Sequence, residues 1–204
     1  MKCSVLIVGV GGQGVLLASR VLGEAAMRSG YDVVASEVHG MAQRGGSVSS
    51  MVRFGEGVVS PLIDSAGADV VLGFEPSESC RALPYANSGT TIITDVNPIL
   101  PASVVRGDEV YPSVDSIAEA MSSSGLRLIQ IDAVGEAEKA GSRLAANAVL
   151  LGALAGSGVT PLPMVVVRES LLSNVRAKHR DMNGQAFDSG VALAKTAMNR
   201  FRRP

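Results

Sequence analysis

Residues 4–28 read SVLIVGVGGQGVLLASRVLGEAAMR, and this stretch decides the fold. Ser4–Val8 is a short, β-branched apolar run bounded by glycine, the pattern of a strand buried on both faces. From Val15 to Arg28 apolar residues recur at helical spacing, and Gly30 follows as a stop. Between them lies Gly9–Gly14, GVGGQG, in which Gly9, Gly11 and Gly14 satisfy G-x-G-x-x-G and Gly12 adds further freedom. Strand, glycine loop and helix thus follow in the order of a Rossmann-like opening unit. Such a loop lets backbone N–H groups approach an anion while the helix offers its positive end. Two other readings share the same residues. One is a tight turn with no ligand. The other is a dinucleotide site, for which Glu37 stands where an acidic ribose ligand belongs.

Outward from this unit, Tyr31–Val38 and Ser47–Phe54 read as strands. Only His39–Gly46 separates them, too short for a parallel crossover, so they are expected to be antiparallel neighbours or to lie on separate edges. Gly67–Phe74 reads as a buried strand, with a short helix from Pro76 through Leu83. Thr90–Asp95 is a strand, Ser113–Ser123 a helix capped by Ser113 or Asp115, and Leu126–Val134 a strand. Glu136–Leu154 reads as one helix rich in small residues, suited to close packing on a sheet or another subunit. Pro161 and Pro163 open a helix through Asn174, and Gly184–Phe201 forms the last. The expectation is an α/β three-layer sandwich with a mixed, mostly parallel sheet and a helical C-terminal third, residues 1–204 forming a single domain.

Composition narrows the function. The chain has 204 residues, with 18 Lys and Arg against 19 Asp and Glu, so it offers no bulk attraction to nucleic acid or an anionic membrane. Zero Trp argues against base stacking, and no apolar run approaches a membrane span. The charged fraction of 18% is below the usual quarter, which points to a surface covered by something other than water. Two cysteines, Cys3 and Cys80, lie too far apart and too alone for an iron–sulfur cluster or a structural zinc, and read as small buried hydrophobes in a reducing cytoplasm. No catalytic triad or metal set forms around the two histidines, His39 and His179.

Glu37–Gly46, EVHGMAQRGG, is the second informative stretch. Gly40, Gly45 and Gly46 allow sharp bends, so that His39, Gln43 and Arg44 can be presented to a ligand or partner; a solvated surface turn is the plain alternative. Asp95, ending a strand before Asn97 and Pro98, reads as a turn former or a contact at the sheet's carboxyl edge. Asn147, in an apolar helix, reads as a buried polar anchor in preference to an interface contact.

Taken together, Gly9–Leu17 (GVGGQGVLL), Glu37–Gly46, the SPLI of Ser60–Ile63 and the ADVVLGFEPSESCRALPY of Ala68–Tyr85 resemble the gamma-type domain of 2-oxoacid:ferredoxin oxidoreductases, most of all its indolepyruvate branch. The likeness continues through Asn147–Leu154 and Asn183–Phe187. It implies a small, non-autonomous subunit with no catalytic residue of its own. A larger alpha subunit would carry thiamine diphosphate and the iron–sulfur clusters, and ferredoxin would receive the electrons. The candidate cofactor-facing residues, read from the two stretches themselves, are Gly9, Gly11, Gly12, Gln13, Gly14, Glu37, His39, Gln43 and Arg44; what the glycine loop binds, if anything, the resemblance does not settle. CoA phosphates, a thiamine phosphate and the backbone of the alpha subunit all stand as contacts for the glycine loop. Free-standing dinucleotide-binding modules and ligand-free structural subunits are the competing classes.

Overall fold

The computed structural model describes residues 2–39 and 45–201, and of His39 only the backbone. Six strands form one sheet: β1 (Lys2–Val10), β2 (Val33–His39), β3 (Ser47–Gly55), β4 (Ala68–Gly73), β5 (Ala86–Asp95) and β6 (Arg127–Ile131). Their spatial order is β2-β3-β1-β4-β5-β6, with β4, β5 and β6 added in parallel to β1. β3 pairs antiparallel with both β1 and β2, so it alone runs against the others. The short link after β2 thus makes the antiparallel neighbour expected of it.

Helices cover both faces. On one lie α1 (Val15–Arg28), α5 (Ala133–Lys139), α6 (Ala146–Ser157), α7 (Met164–Asn174) and α8 (Arg180–Phe201). On the other lie α2 (Pro76–Arg81) and α4 (Val114–Ser123), while α3 (Ala102–Val105) is a single surface turn. β1 feeds both layers: Cys3, Val5 and Ile7 point into the larger core, Leu6 and Val8 into the smaller. That two-sided burial is why its sequence is unbroken apolar. β3 alternates instead. Val48, Val52 and Phe54 face the larger core, whereas Ser49, Met51 and Arg53 are half-buried on the other face, where Met51 packs against the smaller core and Arg53 donates to the carbonyls of Ser60 and Leu62.

Several boundaries differ from the sequence reading: β5 starts at Ala86 rather than Thr90 and α2 ends at Arg81 rather than Leu83, and three further differences have a local cause. The strand beginning near Leu126 ends at Ile131, because Asp132 accepts a hydrogen bond from Gly135 N at 2.8 Å and starts α5. The long helix expected over Glu136–Leu154 is two helices: Gly141, at φ 120°, ends α5, and Ser142 turns the chain through Arg143–Ala145 into α6. The last helix starts at Arg180, not Gly184, its first turn being polar because it faces solvent. Small residues of α6 meet α8 directly. A Cβ on Gly152 would lie 2.0 Å from Phe187 O, and one on Gly190 1.9 Å from Val149 O.

Candidate functional site

The chain leaves β1 for α1 on the β2–β3 side and leaves β4 for α2 on the β5 side. The carboxyl ends of β1 and β4 therefore flank the point where the sheet's winding reverses, the place where open α/β sheets hold ligands. A crevice of about 290 Å³ opens there. Gly11, Gly12 and Gln13 form one wall, Phe74 and Asp95 the floor, and Arg143, Leu144 and Ala146 the opposite wall.

Much of the glycine loop serves the fold. Gln13 Oε1 accepts from Val10 N at 2.7 Å while its Nε2 donates to Phe74 O at 2.6 Å, clasping the end of β1 to the end of β4. Gly11 N donates to Gly46 O at 2.9 Å, and Gln13 N to Val10 O at 3.1 Å. At Gly9 a Cβ would lie 2.8 Å from that of Phe74, so this glycine permits close packing. The N–H groups of Gly12 and Gly14 have no partner among the described residues, nor do those of the first turn of α1. Gly12 and Gly14 sit at φ 103° and 91°, where a side chain is strained. Gly14 caps α1 without a side-chain bond, and no acidic residue stands in the helix's first turn. The helix end and these two amides are the anion-attracting part of the loop.

Two groups frame the crevice. Arg143 is exposed at its mouth and has no ion-pair partner among the described residues. Asp95 is 1% exposed; its Oδ1 accepts from Asn97 Nδ2 at 2.9 Å and Ala133 N at 3.0 Å. Burial pushes its carboxyl above the ordinary 3.8, against the pull of those bonds. Asn97 Nδ2 also donates to Asp132 Oδ1 at 2.8 Å, and Asp132, with Gly135 N as a further donor, is held below 3.8. Asp95 is thus a buried tie between β5 and α5 that also lines the crevice.

The remaining sequence-derived residues fall elsewhere. Glu37 is exposed on β2, paired with Ser50 of β3, and β3 separates it from β1. Two inter-strand spacings, roughly 9–10 Å, therefore stand between its strand and the one that carries the loop. In a dinucleotide fold those strands are adjacent, so the geometry that would place Glu37 on a ribose is missing. Gln43 and Arg44 lie outside the described residues, as does the side chain of His39. Cys3 is buried, its thiol pushed up to about 12, and Cys80 is half-buried. Among the described residues no three His, Cys, Asp or Glu side chains group as a metal site, and no helix is long and apolar enough to cross a membrane.

Sequence reasoning missed Arg143, because one uninterrupted helix would have carried it past the crevice. Lys139-Ala140-Gly141 followed by Ser142 was the available sign of a helix end and a new cap. Asn147 is buried as expected, but its Oδ1 has no hydrogen-bond partner among the described residues.

A glycine loop between strand and helix, beside a crevice at the reversal point of a mixed sheet, defines an open α/β protein of the doubly wound kind. The model of the pyruvate ferredoxin/flavodoxin oxidoreductase family matches residues 4–193, and the chain belongs to that family. It is 42% identical over 194 residues to the indolepyruvate oxidoreductase subunit IorB of Archaeoglobus fulgidus, covering 95% of this chain and 96% of that one. It is 40% identical to the Thermococcus kodakarensis subunit of the same name, covering 94% and 96%. Its fold is similar to that of the keto/oxoacid ferredoxin oxidoreductase gamma subunit from Geobacter sulfurreducens, with a TM-score of 0.68 at 22% identity over 95% of this chain and 99% of that one.

Proposed function

We propose that the chain is the small subunit of an indolepyruvate-type 2-oxoacid:ferredoxin oxidoreductase. The observation that carries this reading is its end-to-end likeness, near 40%, to subunits of that name. The holoenzyme would convert an aryl 2-oxoacid and CoA into acyl-CoA and carbon dioxide, delivering two electrons to ferredoxin. Thiamine diphosphate supplies the decarboxylation chemistry, and the two separated cysteines here are too few for cluster ligation, so both groups are assigned to a larger partner subunit. The residues present do fit one end of an anionic cofactor. Gly12, Gly14 and the first turn of α1 offer N–H groups with no partner among the described residues, Arg143 supplies a fork that suits phosphate or carboxylate, and Leu144 and Ala146 line the crevice beside them. This chain then binds and orients such a group, CoA being the leading candidate, while the bond-breaking steps occur on the partner. His39, Gln43 and Arg44 would complete the contact from the loop after β2.

Reconstitution tests the reading. Each subunit is purified alone, and the two are then titrated together while arylpyruvate- and CoA-dependent ferredoxin reduction is followed. Turnover should saturate at a fixed ratio, with iron confined to the larger chain. Full activity of the larger subunit alone would refute it. Within the complex, Arg143→Gln should raise the KM for CoA about tenfold or more, the size of a lost charge-assisted hydrogen bond, and leave kcat nearly unchanged.

A further inference from the structure

Between β5 and α4 the chain runs as a strap that the fold holds by very little. No residue from Val96 to Pro112 is buried, and Leu100, Val105 and Val110 are 50%, 71% and 92% exposed. Tyr111 alone of them packs against a core. From Pro98 to Pro112 every backbone–backbone hydrogen bond among the described residues stays within the strap, the turn of α3 included. Side chains reinforce it from inside: Ser103 Oγ donates to Glu109 Oε2 at 2.8 Å, and Arg106 pairs with Asp108 at 2.9 Å. A segment bonded within itself, with few buried apolar contacts, is one that opens as a unit at small cost. Beneath it a cavity of about 310 Å³ lies between its Val104 and Val110 and the Ser77, Cys80 and Arg81 of α2.

Glu75 is the point of attachment. Its side chain belongs to a residue 1% exposed, and Oε2 caps α2 by accepting from Glu78 N at 2.9 Å. Oε1 faces the strap instead. It accepts from the Tyr111 hydroxyl and, at 3.4 Å, from Ile99 N, with Ser77 beside the same hydroxyl. Two distant strap residues thus share one acceptor atom. Ile99 also lines the crevice, whose floor is Phe74, the residue before Glu75. Once Tyr111 is released, the long bond to Ile99 N is what remains on Oε1, and a bond of that length holds little.

We infer that residues 98–112 are a lid on the crevice, latched by Glu75 through Tyr111. The lid pivots between Asn97, which Asp95 and Asp132 hold, and Ser113, which caps α4. With the latch made, Ile99 completes the crevice wall; with it broken, Ile99 withdraws and the crevice opens on that side. A ligand in the crevice meets Ile99 in the latched state alone, so its binding favours closure. The inference rests on the proposed function for the identity of that ligand, while the lid and its latch stand on the geometry.

Two readouts on the full-length chain, parent and Tyr111→Phe, test the latch: hydrogen exchange at the Ile99 amide, and the rate at which Ellman's reagent modifies Cys80 in the cavity beneath. Cys3 does not compete, being buried with its thiol pushed up to about 12. Both rates should rise about tenfold in the variant, the size of a lost hydrogen bond to a charged group, with the amides of β4 unchanged. Either rate left unaltered would overturn the inference, as would an equal rise in β4, which would mean general loosening. In the reconstituted complex the same variant should raise the KM for CoA about twofold or more, following the fall in the closed fraction, with less change in kcat. If the two rates rise while the KM for CoA stays at the parent value, the lid is upheld, and CoA is excluded as the occupant of the crevice.

Discussion

Gln13 shows how a residue in a glycine-rich motif can belong to the fold. Both ends of its carboxamide bond the backbone, one within its own turn and one on the neighbouring strand. Gln13→Leu should therefore cost about 1–3 kcal/mol in denaturant unfolding, as buried backbone groups are left unpaired. A side chain that only met a ligand would leave stability unchanged. Asp95 allows a test by pH. Its folded pKa lies above 3.8, so the stability tied to its protonated form is present below 3.8 and is lost as pH rises through the folded value. Asp95→Asn keeps an acceptor for Ala133 N and removes the buried charge. The melting temperature of the variant minus that of the parent should be near zero at low pH and widen toward neutrality; a gap independent of pH would exclude the carboxyl as its cause. At this scale the sequence revealed the loop but not its free amides. Gly11 N is taken by Gly46 O and the Gln13 side chain by Phe74 O, and no local pattern records those distant partners.

At the scale of elements, β1, α1 and β3 were legible because periodicity and boundary signals agree: two-sided burial for β1, an apolar stripe ending near Gly30 for α1, one-sided alternation for β3. The α5–α6 region was not. Alanine, leucine and glycine there satisfy helical spacing on every face, so composition hid the break at Gly141. The same small residues set the α6–α8 contact, where backbone meets backbone. Gly152→Ala and Gly190→Ala should each destabilise by about 1–3 kcal/mol or more through overpacking, despite alanine's better helix propensity. Equilibrium unfolding decides this, since a neutral or stabilising result would mean that the helices can move apart freely. A further tie lies across the sheet, where Tyr111 donates to the buried carboxylate of Glu75 at the start of α2. Burial and this carboxylate both push the phenol upward, so it stays protonated at every physiological pH. Tyr111→Phe should loosen the 102–111 segment, seen as faster proteolysis there with the sheet intact.

For the whole molecule, the arrangement predicts a gradient of protection. Val5–Ile7 and Val70–Leu72 occupy central strands covered on both faces, whereas β2 is an edge strand with exposed residues such as Val38. In hydrogen exchange the central amides should open only with global unfolding and those of β2 far sooner. Uniform exchange across the sheet would contradict this. Strand order itself was only partly readable: the short link excluded a parallel crossover and left β2 and β3 as antiparallel neighbours or on separate edges, and nothing local said that β3 would lie between β2 and β1. That insertion bears on biosynthesis. Of the strands of this sheet, the first to leave the ribosome is a central one, and its two neighbours are Ser47–Gly55 and Ala68–Gly73. Until residue 55 has emerged this apolar strand has both edges unsatisfied, and until residue 73 it keeps one open edge, a state prone to self-association. Slower translation across residues 10–70 would prolong that wait, so codon choice over this interval should govern the yield of native chain more than codon choice anywhere after it.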